Sequence, residues 1–140
     1  MLLWRVTTVY GVIRKTDIVF RPFWLGAAKA GCKTALINTT LSDSSLLHSL
    51  QISRCRFIIT HKIYEENVSK VLPDLPADVK LLVYGGEPLS GVSIDSELEF
   101  ANRINPDPKN YQNLSLADQV LMIYTSGTTG KLKTSYQKLI

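Results

Sequence analysis

Cysteine is scarce in this sequence of 140 residues: Cys32 and Cys55 are the only two, and they sit in separate hydrophobic stretches. Neither belongs to a C-x-x-C pair or to a metal-ligand spacing, so thiolate metal sites are excluded and both are expected to be buried thiols of a reducing compartment. Histidine is as rare. His48 and His61 have no second ligand at a metal spacing, and no metal site is expected. No apolar run approaches the length of a membrane span. Arg5 interrupts the amino-terminal apolar residues, so a secretory signal is not expected, and the triplets at Asn38, Asn67 and Asn113 would accept sugar only in a secreted chain. Lys and Arg outnumber Asp and Glu by 16 to 12, but no basic run concentrates that net charge of +4. Nucleic acid is therefore not an expected partner. Also missing are internal repeats, low-complexity tracts and the G-x-G-x-x-G fingerprint of dinucleotide folds.

What remains is ordinary globular composition, 45% hydrophobic and 20% charged, enough for one domain with a core. Short β-rich runs alternate with helical periodicity, the pattern of βαβ units and a mostly parallel sheet with flanking helices. Strands are expected at Asp17–Phe20, Lys33–Asn38, Cys55–Thr60, Lys80–Gly85 and within "QVLMIYTS". Helices are expected between them. The first is "RPFWLGAAKAG", with Pro22 suited to its first turn and Gly31 to its stop. The second is capped by Ser42, with Leu46, Leu47 and Leu50 on one face and Ser44, Ser45, His48 and Ser49 mostly on the other. The third carries Tyr64, Val68, Val71 and Leu72 on one stripe and is ended by Pro73 and Pro76. A short fourth runs from Ser93 to Ala101. Glu65, Glu66, Glu97 and Glu99 read as helix-surface charges, and "NRINPDPKNYQNLSLAD" as a surface loop.

Directly behind the apolar "VLMIY" comes "TSGTTGKLK". A strand that runs into a Gly/Ser/Thr loop offers an anion converging backbone N–H groups, donating hydroxyls and glycines that let the backbone approach. Phosphate is the natural guest, and Lys131 and Lys133 add charge within reach. The nucleotide-triphosphatase loop G-x-x-x-x-G-K-[ST] does not fit: aligned on Gly130-Lys131, it finds Thr125 at the first glycine and Leu132 at the magnesium-binding hydroxyl. "SYQK" at Ser135–Lys138 fits S-x-x-K, but its companion K-T-G is absent.

The segment resembles the phosphate loop of the adenylate-forming (AMP-binding) superfamily, roughly [ST]-S-G-[ST]-T-G-x-P-K, matched by Thr125, Ser126, Gly127, Thr128, Thr129, Gly130 and Lys133. "WLGAAKAGCKTALINTTLSDSSLLHSLQIS", Trp24 to Ser53, is similar to the corresponding stretch of the fatty acid transport proteins, the very-long-chain acyl-CoA synthetase branch. The likeness spans about Asp17 to Lys133. It departs at Leu132, where the pattern has proline, after Lys133, where "TSYQKLI" lacks the family's continuation, and at Phe20–Arg21, where the strand-to-helix connection is short. The first sixteen residues match nothing.

The resemblance implies an α/β fold, the partial amino-terminal portion of an acyl-CoA synthetase-like domain, with residues 1–16 unassigned and 17–140 an incomplete adenylation domain ending just after the phosphate loop. It also implies fatty acid activation with ATP (carried with Mg2+) through an acyl-adenylate, and coenzyme A as co-substrate. Tyr124, Thr125, Ser126, Gly127, Thr128, Thr129, Gly130 and Lys133 are the implied nucleotide contacts: hydroxyls and N–H groups as donors, glycines as permissive hinges, Lys133 as counter-charge. Lys131, at the pattern's variable position, reads as solvated. No catalytic residue is assigned, and the adenine pocket, acyl tunnel and mobile carboxy-terminal domain would lie beyond Ile140, so the chain alone is expected to be catalytically incomplete. An intracellular, membrane-associated setting at endoplasmic reticulum, plasma membrane or peroxisome is the family's habit. The alternatives are a non-catalytic nucleotide-binding or interaction module, and a superfamily member that activates another carboxylate.

Overall fold

The computed structural model describes residues 11–12, 20–100, 109, 119–126 and 132–138. Its elements alternate as the sequence pattern requires, but they form two sheets. Strand β1 (Gly11–Val12) is followed by α1 (Phe20–Lys29), β2 (Thr34–Leu36), α2 (Asp43–Ser53), β3 (Phe57–His61), α3 (Glu65–Val71) and β4 (Lys80–Tyr84). Then come β5 (Val92–Ser93), α4 (Asp95–Phe100), β6 (Gln119–Ser126) and β7 (Leu132–Lys138). Single 3-10 turns, Lys62–Tyr64 and Leu72–Asp74, flank α3.

One sheet has the order β1-β2-β6-β7 and the other β3-β4-β5. All pairs are parallel except β6 with β7, so the mostly parallel α/β architecture holds. At the edge of the first sheet β1 lies beside β3 of the second.

Both sheets feed one core. Ala35 and Met122 come from the first sheet, Ile58, Leu81 and Val83 from the second, Leu46 and Leu50 from α2, and Val68 and Val71 from α3. Apart from Ala35, side chains so buried contribute about 1.5–3 kcal/mol each by leaving water. The apolar stripes read from the sequence are therefore the ones that pack, with Tyr64, Leu47 and Leu72 partly buried against the cluster.

Local chemistry sets several element ends. Ser42 is the N-cap of α2 in an extended conformation, but its hydroxyl makes no capping bond; its carbonyl accepts from Ser45 and Leu46 instead. Arg54 ends the helix in the left-handed region at φ 51°. Proline cannot donate the next helical bond, and α3 gives way at Val71 to the 3-10 turn that contains Pro73.

Several expectations need correction. Phe20 opens α1 and is no strand residue, while 17–19 lie outside the described residues. Ser49 does not share the solvent face of α2: it is fully buried, its hydroxyl satisfied by the Ser45 carbonyl at 2.9 Å, which lets a small polar side chain sit inside. Glu65 is fully buried as well. Cys55 is buried as expected, and burial pushes its thiol up, whereas Cys32 is only half-buried. Ser93 belongs to β5, so the fourth helix starts at Asp95. The strands β1, β5 and β7 were not anticipated. The loop read at 102–118 lies almost wholly outside the described residues. Among the described residues no helix is long and apolar enough to cross a membrane.

Candidate functional site

Strand β6 runs through the interior of the first sheet, and its carboxyl end delivers the glycine-rich segment. Its register with β2 is Thr34↔Leu121, Ala35↔Met122 and Leu36↔Ile123. The register with β2 ends at Ile123, and Tyr124, Thr125 and Ser126 continue the pairing with β7, through Tyr124↔Thr134, Thr125↔Lys133 and Ser126↔Leu132. In open α/β sheets ligands bind outside the carboxyl ends of the parallel strands, and this is such an end.

Residues 127–131 are bracketed by the Ser126↔Leu132 pair, and Gly127, Thr128, Thr129 and Gly130 lie outside the described residues. The return of β7 sets the backbone of Lys133 directly across from that of Thr125. Three sequence-predicted residues are thus gathered at one strand end: the adjacent Tyr124 and Thr125, and Lys133, eight positions after Thr125. Tyr124 is half-buried, packs against the core, and donates its phenolic hydrogen to the Ser49 carbonyl at 2.8 Å.

At the exits of the second sheet, side chains fill the backbone donors. Gly85 and Gly86 leave β4 with φ of 82° and 135°, and both N–H groups point at Asp95, whose carboxylate accepts from Gly85 at 2.9 and 3.1 Å and from Gly86 at 2.9 Å. Those amides hold the Asp95 carboxyl below the ordinary carboxylate range. His61, the last residue of β3, accepts the Ile63 N–H on Nδ1 at 3.2 Å and sets its ring edge-on to Tyr84. His48 is exposed.

Glu65 is the polar residue whose role sequence reasoning missed. Its carboxylate accepts from the N–H groups of Leu89 (2.8 Å), Ser90 (2.9 Å) and Gly91 (3.1 Å), and Lys62 Nζ reaches it at 3.0 Å. Burial, the largest influence, pushes the acid up. The amides of Ser90, Leu89 and Gly91 and the Lys62 ammonium outweigh it and bring the carboxyl down to about 2. A lysine three residues before the glutamate was the one local signal, and it appears equally at surface pairs.

A cleft of about 500 Å³ opens elsewhere, lined by Arg54, Arg56, Asp74, Pro76 and Asp78 among others. It lies by the residues that precede β3 and β4, at their amino ends, and its charges offset one another: Arg56 and Asp78 stand 3.9 Å apart, both exposed. Nothing there suits a polyphosphate. Among the described residues no group of three or more His, Cys, Asp or Glu side chains could hold a metal ion.

The sheet order, the interior strand β6 and the motif it feeds define a class: the model of the AMP-binding enzyme family matches residues 20–135, and the chain belongs to that family. Among characterised proteins it is similar to long-chain fatty acid transport protein 6 of Mus musculus, 28% identical over 128 residues, which covers 91% of this chain and 21% of that protein. It is 34% identical over 110 residues to long-chain fatty acid transport protein 5 of Homo sapiens, covering 76% of this chain and 16% of that one. The chain thus spans only 21% and 16% of the length of these relatives. The fold is that of solved adenylate-forming enzymes. An anthranilate CoA ligase in complex with anthranoyl-AMP superposes with a TM-score of 0.77 at 20% identity, over 96% of this chain and 26% of that one. A red-emitting luciferase from Phrixothrix hirtus gives 0.75 at 20% identity, over 94% and 26%.

Proposed function

We propose that this chain supplies the phosphate-binding portion of an ATP-dependent fatty acyl-CoA synthetase acting on long or very long acyl chains, with residues 17–140 forming part of its adenylation domain. The observation that carries the reading is a family match over residues 20–135 whose phosphate-loop pattern falls at the carboxyl end of an interior parallel strand. The fatty acid branch is supported by the relatives at up to 34% identity.

In the proposed reaction a fatty carboxylate attacks the α-phosphorus of ATP and pyrophosphate leaves; the thiol of coenzyme A then attacks the acyl carbon of the adenylate, AMP leaves, and a thioester forms. The loop attacks nothing. Its work is electrostatic: hydroxyls of Ser126, Thr128 and Thr129 and nearby N–H groups donate to the β- and γ-phosphates, and Lys133 balances the charge that grows on departing pyrophosphate. Mg2+ would arrive on the nucleotide phosphates. Adenine, acyl and coenzyme A sites are assigned to no residue of this chain, and association of the whole protein with an intracellular membrane rests on the fatty acid transport resemblance.

The test separates two lysines. Isothermal titration of the chain with inorganic tripolyphosphate should show Lys133→Ala weakening binding about ten- to a hundredfold, the usual worth of a hydrogen bond to a charged group, with Lys131→Ala nearly neutral. Equal effects, or none at Lys133, would defeat the assignment. For the acyl branch, the complete enzyme should exchange labelled pyrophosphate into ATP with long-chain acids and not with acetate or anthranilate.

A further inference from the structure

We infer that the exit of β4 is a masked binding site for a small carboxylate: the amides of Gly85 and Gly86 grip the Asp95 side chain at rest, and take a carboxylate from solution when α4 swings away. The donors are two consecutive N–H groups that converge on one anion. Gly85 donates to both Asp95 oxygens, at 2.9 and 3.1 Å, and Gly86 to one of them at 2.9 Å. That convergence needs φ of 82° and 135°, which glycine adopts without steric cost. Such a backbone nest, here at the end of a strand parallel to both its neighbours, recognises an anion and not the chain that carries it. Its resident shows the class of ligand it accepts.

Two observations make the resident exchangeable. The nest faces water, with Gly85 and Gly86 both exposed. Helix α4, which carries Asp95, is also weakly rooted: it has six residues, Ser96 to Glu99 are exposed, and among the described residues the core takes no side chain from it. Elements with few buried contacts open at low free energy. The neighbouring plug is different. Glu65, which fills the amides of 89–91, is fully buried and paired with Lys62, so no ligand reaches those donors. Exchange at the Gly85–Gly86 nest is reciprocal: a carboxylate that occupies it frees α4, and whatever moves α4 opens it.

Amide NMR of the full chain tests this, with wild type, Asp95→Ala and the double variant Asp95→Ala/Gly86→Ala titrated with potassium acetate against potassium chloride at equal ionic strength. In Asp95→Ala, acetate should shift the Gly85 and Gly86 amide signals. Half-saturation should come at about a tenth or less of the concentration that wild type needs, because a nest filled about nine-tenths of the time by Asp95 is a tenfold weaker site for a competitor. The double variant, with a side chain forced onto the residue at φ 135°, should not respond. In wild type at the top of the titration, acetate should speed hydrogen exchange of the α4 amides relative to chloride, and this measurement decides alone if Asp95→Ala does not fold. A folded Asp95→Ala whose Gly85 and Gly86 signals ignore acetate overturns the inference. So do equal acetate affinities in Asp95→Ala and wild type, an undiminished response in the double variant, and α4 exchange in wild type that is the same in acetate as in chloride.

Discussion

Replacing Glu65 by glutamine should destabilise the chain by about 2–4 kcal/mol, although the two side chains have nearly the same shape. The carboxylate is fully buried and receives three backbone N–H groups and one ammonium. Hydrogen bonds to a charged group are worth about 1.5–3 kcal/mol each, and they are not additive. Glutamine keeps one carbonyl oxygen as an acceptor. Its amide nitrogen, however, turns two hydrogens toward amides that are themselves donors, so about half of the four interactions are lost or repulsive. Part of that loss is recovered as the 89–91 backbone finds water, which sets the lower bound.

Urea denaturation of wild type and Glu65→Gln near neutral pH measures the difference, and amide hydrogen exchange at Leu89, Ser90 and Gly91 localises it. The pH dependence gives an independent check. Because the folded carboxyl titrates at about 2, below the ordinary glutamate value near 4.3, its contribution is complete above that ordinary value and is lost as pH falls toward 2. The gap between wild type and variant should therefore close over that interval. A stability change under about 0.5 kcal/mol with unaltered exchange at 89–91 would refute the reasoning, since surface substitutions do no more than that.

Further substitutions probe the scaffold. Gly85→Ala should cost about 2 kcal/mol or more by urea denaturation, because φ is 82° and the new Cβ would stand 2.4 Å from His61 Nε2; adding His61→Ala should recover the steric part and leave the backbone strain. Leu46→Ala, at 1% exposure, should lose about 2–5 kcal/mol in the same assay, while Leu98→Ala on α4, 48% exposed, should stay within about 0.5 kcal/mol.

Legibility in the sequence followed the range of each interaction. The stripes Leu46/Leu50 and Val68/Val71 were readable because a helix repeats its buried face every three to four residues, and those residues form the core. Strands β2, β3, β4 and β6 were readable from β-branched runs within a residue or two of their ends. The two-residue strands β1 and β5 carry no period to read. Strand β7 was missed because "LKTSYQK" has little apolar alternation; its pairing comes from the hairpin with β6, not from a buried face of its own sequence. Ser49 and Glu65 were misassigned for one reason: periodicity sorts residues by polarity, and a polar side chain with satisfied partners can occupy a buried position. The partner of Ser49 is one helical turn back, whereas the amides that satisfy Glu65 are fixed by tertiary structure 24 to 26 residues away, where no window of helical length reaches.

The same long-range bonds bear on why one glycine-rich exit is read as a phosphate site and another is not. Gly85–Gly86 has the ingredients of an anion cradle: the carboxyl end of a parallel strand, two glycines at positive φ and converging N–H groups. Asp95, ten residues on, fills it from within, and a cradle already holding a carboxylate repels a second anion. Glu65 does the same for the amides of 89–91. The exit of β6 differs in composition. From Gln119 to Ile140 the chain has no aspartate or glutamate and carries Lys131, Lys133 and Lys138. That stretch carries no carboxylate of its own, and its lysines favour an anion supplied from outside, which is the ground for proposing the phosphate site there. Introducing an acid at a neutral position of that stretch, Gln137→Glu as the mild case and Thr134→Asp as the near one, should therefore weaken tripolyphosphate binding in the order of proximity to Lys133, and indifference to both would show that the exit of β6 is no more an open anion site than the exit of β4.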